Sequence, residues 1–298
     1  MSTISQVQSF VNGLANCQPR GNYAILGTIT GDDMLDLFWL HLILAFVVGS
    51  IWVTLTTIAA ERFGSKVGGF IGGLPSTAVV SFFFIGLSQT PAVASQATTV
   101  FPLVYGFTGL FLVLYATLAN RGFKIALLGS LTAWFMLSAM VVTLNVRSFT
   151  FSLVAYVFIL LVSYYVLEKR LELISAPKAK IHYSAQQIVW RAAFSGFVIA
   201  FVIFISKYAG PIFGGIFSAF PAVFISTLVI SFHSRGIQFS RAITKPLLVT
   251  GMVTIVIYSI GVRYFYPALG LVFGTFMAYA VAMVSAYFTG VFIRRRLA

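Results

Sequence analysis

Residues 68–75 read GGFIGGLP, and residues 214–221 read GGIFSAFP, so two glycines and a proline recur at the same spacing 146 positions later. The same offset, without any gap, gives three further identities outside these stretches: Gly64 with Gly210, Ser88 with Ser234, and Thr98 with Thr244. Self-similarity at a fixed offset indicates an internal repeat. The chain is therefore predicted to contain two related units.

Nine apolar segments are long enough, or nearly so, to cross a membrane, which takes about 20 mostly apolar residues. The composition agrees, because 59% of the 298 residues are hydrophobic and only 8% are charged, whereas soluble domains carry about 25% charged residues. Continuous apolar runs favour helices over the alternating strands of a β-barrel. We expect an all-α integral membrane protein. The predicted spans are 35–60, 67–87, 97–119, 125–144, 149–167, 188–207, 210–232, 242–262 and 267–292.

The repeat offset assigns the spans to two groups of four. At this offset the first four spans align with the sixth to ninth spans, and the fifth span is left as a linker. Because five is an odd number of crossings, the two four-helix units must lie in opposite orientations, as in the inverted repeats of many transporters. The predicted organisation is an outer segment with a short surface helix (1–33), repeat one (34–146), a linker helix with a basic inner loop (147–187), and repeat two (188–298).

Basic residues predict the orientation of the bundle. Fifteen of the nineteen Lys and Arg residues fall on the face that holds the C-terminus, and the other face has Arg20, Arg147, Lys207 and Arg263. Cytoplasmic loops carry the excess of positive charge, so we expect the N-terminus outside and the C-terminus inside a cell (inner) membrane. A net charge of +13 is also typical of nucleic-acid binding, but its placement in short gaps between spans favours the topological explanation, and no nucleic-acid partner is expected.

Helix breaks at the two prolines supply the candidate binding site. Proline suits the first turn of a helix, and a helix restarted inside the bundle would direct free N–H groups and partial positive charge inward. Two such breaks facing each other near the midplane would suit an anion or a polar head group. Close helix packing with a tolerated proline kink is the alternative. The candidate residues are Gly72, Gly73, Pro75, Ser76, Thr77, Ser218, Pro221, Ser226 and Thr227.

Groups that would support catalysis or metal binding are scarce. None of the six acidic residues lies deep in a predicted span, which disfavours a carboxylate-coupled cation transporter. The single cysteine, Cys17, and three isolated histidines give no metal-binding spacing, and the sequence has no P-loop and no G-x-S-x-G motif. We therefore expect no enzyme activity, no cofactor and no metal. Lys207 and Lys245 are expected within snorkelling reach of water.

The second half resembles the small GlpM-type inner-membrane proteins. The resemblance covers Tyr208 to about Met252 and consists of Gly215, Phe220-Pro221, Arg235-Gly236 and Arg241-Ala242. The first half retains Gly69 and Leu74-Pro75 but lacks both arginine pairs. The resemblance implies a fused, inverted pair of such units. The family has been linked to exopolysaccharide production, which suggests envelope biology.

The expected function is a membrane transporter or channel for a small anionic or polar solute, or for an amphiphile with an anionic head group, with its site between the repeats. The alternative is a non-transporting scaffold with a protein partner in an envelope-polymer complex. Membrane lipid is the expected surrounding partner. The substrate and any driving ion stay open.

Overall fold

The computed structural model describes residues 31–62, 75–171 and 184–296. Residues 1–39 and 40–298 form two compact units, and the described part of the first unit is the beginning of one helix. The predicted surface helix, Gly72 and Gly73 lie outside the described residues. Every regular element within them is helical, in agreement with an all-α membrane protein.

Ten α-helices make up the described chain. They are α1 (Gly31–Arg62), α2 (Ser76–Ser88), α3 (Pro91–Ala97), α4 (Phe101–Leu118), α5 (Phe123–Thr143), α6 (Phe149–Tyr165), α7 (Ala185–Ala209), α8 (Pro211–Ser218), α9 (Ala222–Ala242) and α10 (Thr244–Arg296). A 3₁₀ turn follows α4 at Ala119–Arg121, and a π-helical turn follows α6 at Val166–Arg170.

Local sequence signals account for several helix starts. The side chain of Thr90 accepts from the N–H of Val93, and Pro91 occupies the first turn of α3. Ser184 and Gln187 form a capping box at the start of α7, in which each side chain accepts from the backbone of the other residue. These contacts satisfy N–H groups that have no partner within the helix.

Seven helical segments among the described residues are long and apolar enough to cross a membrane. The longest, Thr244–Thr289, covers two predicted spans, 242–262 and 267–292. Gly270 has non-helical backbone angles (φ 75°, ψ −178°), and a Cβ added at Gly261 would lie 2.7 Å from the Cβ of Ala278. Residues 17 positions apart in a straight helix would be about 25 Å apart, so the chain folds back at Gly270. The total of nine spans stays a prediction.

Several helix starts, breaks and hydrogen bonds lie 146 positions apart in the described residues, while the division into repeats stays a prediction. Helices begin at Ser76 and at Ala222, which are 146 positions apart. The break at Thr90 corresponds to the non-helical Gly236 inside α9. One side-chain hydrogen bond also recurs at this offset: Thr98 Oγ1 donates to the Ser95 carbonyl (2.6 Å), and Thr244 Oγ1 donates to the Arg241 carbonyl (2.8 Å).

Helix α4 and the first half of α10 run antiparallel. Their crossing lies where Tyr105 donates to the carbonyl of Gly251 (3.4 Å), its own equivalent in the other half. On one side of this crossing Arg241 Nε donates to the Ala116 carbonyl, and on the other Ser95 Oγ donates to the Arg263 carbonyl (both 2.9 Å). Arg241 lies 146 positions after Ser95, so residues at the predicted offset donate to carbonyls on opposite sides of the crossing.

Helix α4 forms the centre of the bundle. In the most apolar stretch of its spanning segment, 72% of the residues are buried. In the corresponding stretch of the segment formed by α6, only 22% are buried. Large apolar side chains such as Met136, Phe158 and Phe273 are exposed on the outer helices. An exposed apolar surface of this extent is typical of helices that face lipid.

Helix α8 packs very closely against the C-terminal residue of α3, and this close approach generates a prediction. A Cβ at Gly215 would lie 1.9 Å from the carbonyl oxygen of Ala97, which is backbone and cannot move aside cheaply. Gly215→Ala should therefore lower stability by about 1–3 kcal/mol. Thermal unfolding in detergent, followed by tryptophan fluorescence, measures the effect.

Gly106→Ala is the matched control for this substitution. The nearest atom to its added Cβ would be Ile159 Cδ1 at 3.4 Å, which is an ordinary contact. Both substitutions replace glycine with alanine, so they raise the intrinsic helix propensity by the same amount. Equal unfolding temperatures for the two variants would contradict the close packing of α8.

Candidate functional site at the proline break

Pro75 and Pro221 occupy equivalent positions immediately before a helix. Their backbone angles are similar (φ −76°, ψ 56° and φ −76°, ψ 40°). The carbonyl of Pro75 accepts from Val79 N–H (2.9 Å), and that of Pro221 accepts from Ile225 N–H (2.8 Å). In the second half the break is complete, because α8 ends at Ser218 and α9 begins at Ala222.

The break between α8 and α9 is closed by hydrogen bonds from the first half. Thr108 Oγ1 in α4 donates to the carbonyl of Ala219 (2.9 Å), and Trp134 Nε1 in α5 donates to the same Thr108 oxygen (3.1 Å). Thr108, Trp134 and Ala219 are all buried. An unpaired carbonyl in a membrane interior costs several kcal/mol, so this chain of donors stabilises the broken helix.

Aromatic rings surround the same break. The ring of Phe220 lies edge-on to Trp134, with centroids 5.3 Å apart, and also contacts Phe135 at 6.0 Å and Phe194 at 6.4 Å. These rings come from α5 and α7. Aromatic side chains of these two helices therefore pack against the break.

Three of the candidate residues have hydroxyls that donate within their own helices. Ser218 Oγ donates to the Gly214 carbonyl (2.7 Å), whereas Ser226 Oγ and Thr227 Oγ1 both donate to the Val223 carbonyl (3.0 and 2.7 Å). Their role in binding stays a prediction. In surroundings without water, a carbonyl three or four residues earlier is the nearest acceptor. Ser76 and Thr77 are half-buried at the start of α2.

Arg191, which falls inside the predicted span 188–207, reaches the candidate site from α7. It lies six residues after the start of α7, roughly 9 Å along the axis, and its Nη1 donates to Thr227 Oγ1 (2.9 Å). A cation is therefore hydrogen-bonded to one of the predicted site residues. The sequence could have indicated this position, because the capping box at Ser184 starts α7 before Arg191.

The two proline breaks share only some of their neighbours among the described residues. The Pro221 break contacts α4, α5 and α7, and α2, which Pro75 begins, packs against α3, α7, α8 and α10. That the two breaks face each other stays a prediction.

A cavity of about 420 Å³, with mostly apolar walls and a few polar side chains, opens where α5 and α7 end. Its walls are the end of α5 and the loop after it, including Asn145 and Arg147, the turn from Ala209 to Phe213, and the side chains of Gln96 and Thr99. Residues of both predicted repeats therefore line it. The volume is in the usual range for sites of small molecules.

Lys245 is buried rather than within reach of water, so the snorkelling expectation is wrong for this residue. Only 8% of its side chain is exposed, and its Nζ forms an ion pair with Glu168 Oε2 at 2.5 Å. Glu168 lies in the π-helical turn after α6. The sequence around Lys245 could not indicate this ion pair, because Glu168 lies 77 residues earlier and reaches Lys245 only through the placement of the linker helix.

Thr108 gives a second prediction. Thr108→Val removes the hydroxyl and leaves both Trp134 Nε1 and the Ala219 carbonyl without this partner, so we expect a loss of about 1–3 kcal/mol for each group. Thermal unfolding in detergent measures the loss, and Thr108→Ser, which keeps the hydroxyl, serves as the control. A Val variant as stable as the Ser variant would contradict the role of the hydroxyl.

One family comparison matches the chain. A family model described as Protein of unknown function (DUF3147) matches residues 42–148. The matched segment begins inside α1 and ends at Ser148, immediately before α6, so it covers the helices predicted as repeat one. Among curated proteins and among solved structures, no match is found. The predicted GlpM-type resemblance lies in the other half of the chain and stays a prediction.

Proposed function

We propose that the protein is a membrane transporter for a small anionic or polar solute, built from two inverted four-helix repeats around a linker helix. The observation that carries the proposal is the crossing of α4 and α10 at equivalent residues, Tyr105 and Gly251. Inverted repeats of this kind have two related conformations, which open to opposite sides of the membrane.

The direction of the helices supports the inverted arrangement. Helix α4 and the first half of α10 are both apolar and both belong to segments long enough to span. Because they run antiparallel and exchange similar contacts, an axis that relates them lies across the helices and hence in the membrane plane. An axis along the membrane normal would make equivalent helices parallel.

The extent of the family match supports the same division of the chain. Residues 42–148 match a family model as one unit, and the predicted repeat one covers 34–146. A unit of this length that recurs in other proteins fits the interpretation of the chain as two joined units. In this proposal the chain spans the membrane nine times, with its C-terminus in the cytoplasm.

Polar and basic groups near the breaks support the substrate class. Arg191 binds Thr227 close to the Pro221 break, and Arg147 lines the cavity between the repeats. None of the residues that line this cavity is acidic. Cationic and amide donors without a neighbouring carboxylate favour an anion over a cation.

The aromatic packing of Phe220 favours a second candidate function, a membrane scaffold within an envelope-polymer complex. Rings from α5 and α7 surround the break, and a break closed in this way in every conformation would transport nothing. A scaffold would be inactive alone and would retain a protein partner in gentle detergent.

The orientation can be tested with single cysteines. In a Cys17→Ser background, Leu144→Cys places an exposed thiol at the end of α5, and Ser234→Cys places one beside Gly236. We expect a membrane-impermeant maleimide to label residue 144 in intact spheroplasts and residue 234 only after permeabilisation, because the basic face is cytoplasmic. The reverse pattern would contradict the orientation.

Transport can be tested in proteoliposomes that contain radiolabelled phosphate, acetate or glucose. We expect the wild-type protein to move at least one anion. Pro75→Ala with Pro221→Ala should reduce its flux to that of protein-free liposomes, because both helices could then continue through the break. The folded variant should still reconstitute with an unchanged elution volume.

Pro267→Ala is the control for the double variant. Pro267 is exposed, lies inside α10 and is distant in sequence from both breaks, so its replacement should leave the flux unchanged. Full flux in the folded double variant would refute the assignment of the site. No flux of any probe by the wild type, together with a co-purifying partner, would favour the scaffold.

A further inference from the structure

The cavity beside Arg147 suggests which solutes the protein recognises. We propose that it binds a small free anion through a phosphate or carboxylate group, with Arg147 as the binding residue and Asn145 as its positioning residue. The inference deepens the proposed transport function, since the cavity lies between the repeats, but the binding can be measured without any flux.

The end of α5 brings Arg147 to the cavity. Val146 N–H donates to the Val141 carbonyl (3.1 Å), and Asn145 N–H donates to that of Val142 (3.0 Å). This is the Schellman pattern of a helix C-terminus. It requires a left-handed residue, and Asn145 has φ 51°, the only positive φ outside glycine among the described residues. Asparagine tolerates this conformation better than other side chains.

The side chain of Asn145 then orients the guanidinium. Its Oδ1 accepts from Arg147 Nε (2.8 Å), and both residues line the cavity. Nε is one of five donors on the guanidinium, so this bond leaves the terminal N–H groups available. Those groups form a planar fork that matches the geometry of a carboxylate or a phosphate.

Other groups in the cavity add donors. Thr99 Oγ1 accepts from Arg263 Nη1 (3.2 Å), and a hydroxyl that accepts retains its own hydrogen to donate. Gln96 contributes an exposed amide. Arg263 thereby places a second positive charge behind the wall of the cavity. The combination of two cations and neutral donors favours a small oxyanion.

The position of the cavity gives a solute direct access from water. The cavity lies where α5 and α7 end, and Asn145 and Arg147 are both exposed. The ends of apolar spanning helices lie at the membrane surface, so the guanidinium faces water rather than acyl chains.

The test measures the binding of radiolabelled inorganic phosphate by equilibrium dialysis to the full-length protein in phosphatidylcholine nanodiscs. We expect saturable binding, and Arg147→Gln should raise the Kd about tenfold to a hundredfold, because a charge-assisted hydrogen bond is lost. Arg121→Gln is the control. It makes the same change in charge at an exposed residue before α5, about 30 Å away along that helix, and should leave the Kd unchanged.

A second variant separates positioning from folding. Asn145→Gly retains the left-handed helix end, for which glycine is the preferred residue, but removes the acceptor that orients Arg147. We expect the Kd to rise severalfold while the unfolding temperature stays at or above that of the wild type. A wild-type Kd for this variant would overturn the positioning role.

Two further outcomes would overturn the binding site itself. One is phosphate binding that Arg147→Gln and Arg121→Gln weaken equally. The other is loss of phosphate binding when phosphatidylglycerol replaces part of the phosphatidylcholine, which would assign the cavity to a lipid head group. Saturable binding that depends on Arg147, in a protein that moves none of the probes, would support this site while refuting transport.

Discussion

A helix that stops inside a membrane leaves carbonyl groups that water cannot reach, and this constraint determines much of the structure around Pro221. The hydroxyl of Thr108 meets the constraint by donating to Ala219, while Trp134 donates to Thr108 in turn. The break in one half of the chain is therefore stabilised by helices of the other half. Because each unsatisfied group would cost several kcal/mol in lipid, the two halves depend on each other for more than apolar packing.

The sequence predicted those features that depend on local chemistry. The restart of a helix at Pro221 followed from the fixed φ of proline and its missing donor, and the start of α2 after Pro75 has the same origin. The burial of Lys245 could not be predicted in this way. A hydropathy pattern orders residues along the chain, whereas the burial of Lys245 depends on where α6 places Glu168.

The two halves share their contacts but differ in charge. Ser95 and Arg241 occupy equivalent positions and donate to carbonyls at the ends of the opposing helices. Thr99 and Lys245 are likewise equivalent, and so are Gln89 and Arg235. In each pair the first half has a neutral polar residue and the second half a basic one. An inverted repeat requires this combination. Its two units need similar backbone contacts to form the same fold, but they need different charges because only one face meets the cytoplasm.

The same asymmetry bears on which of two conformations the proposed transporter adopts. At the end that contains Lys245, its ion pair with Glu168 holds α10 to the turn after α6, and the bond from Arg241 to Ala116 holds α9 to α4. At the other end, where the cavity opens, hydrogen bonds that involve Ser95, Thr99 and Arg263 hold equivalent elements together. Hydrogen bonds between two charged groups are stronger than those with one neutral partner, and a pair with little solvent exposure is weakly screened by salt. The described structure is therefore tied more firmly at the end of Lys245 than at the end where the cavity opens, and the proposed transporter would in this conformation admit solute on the face of Arg147.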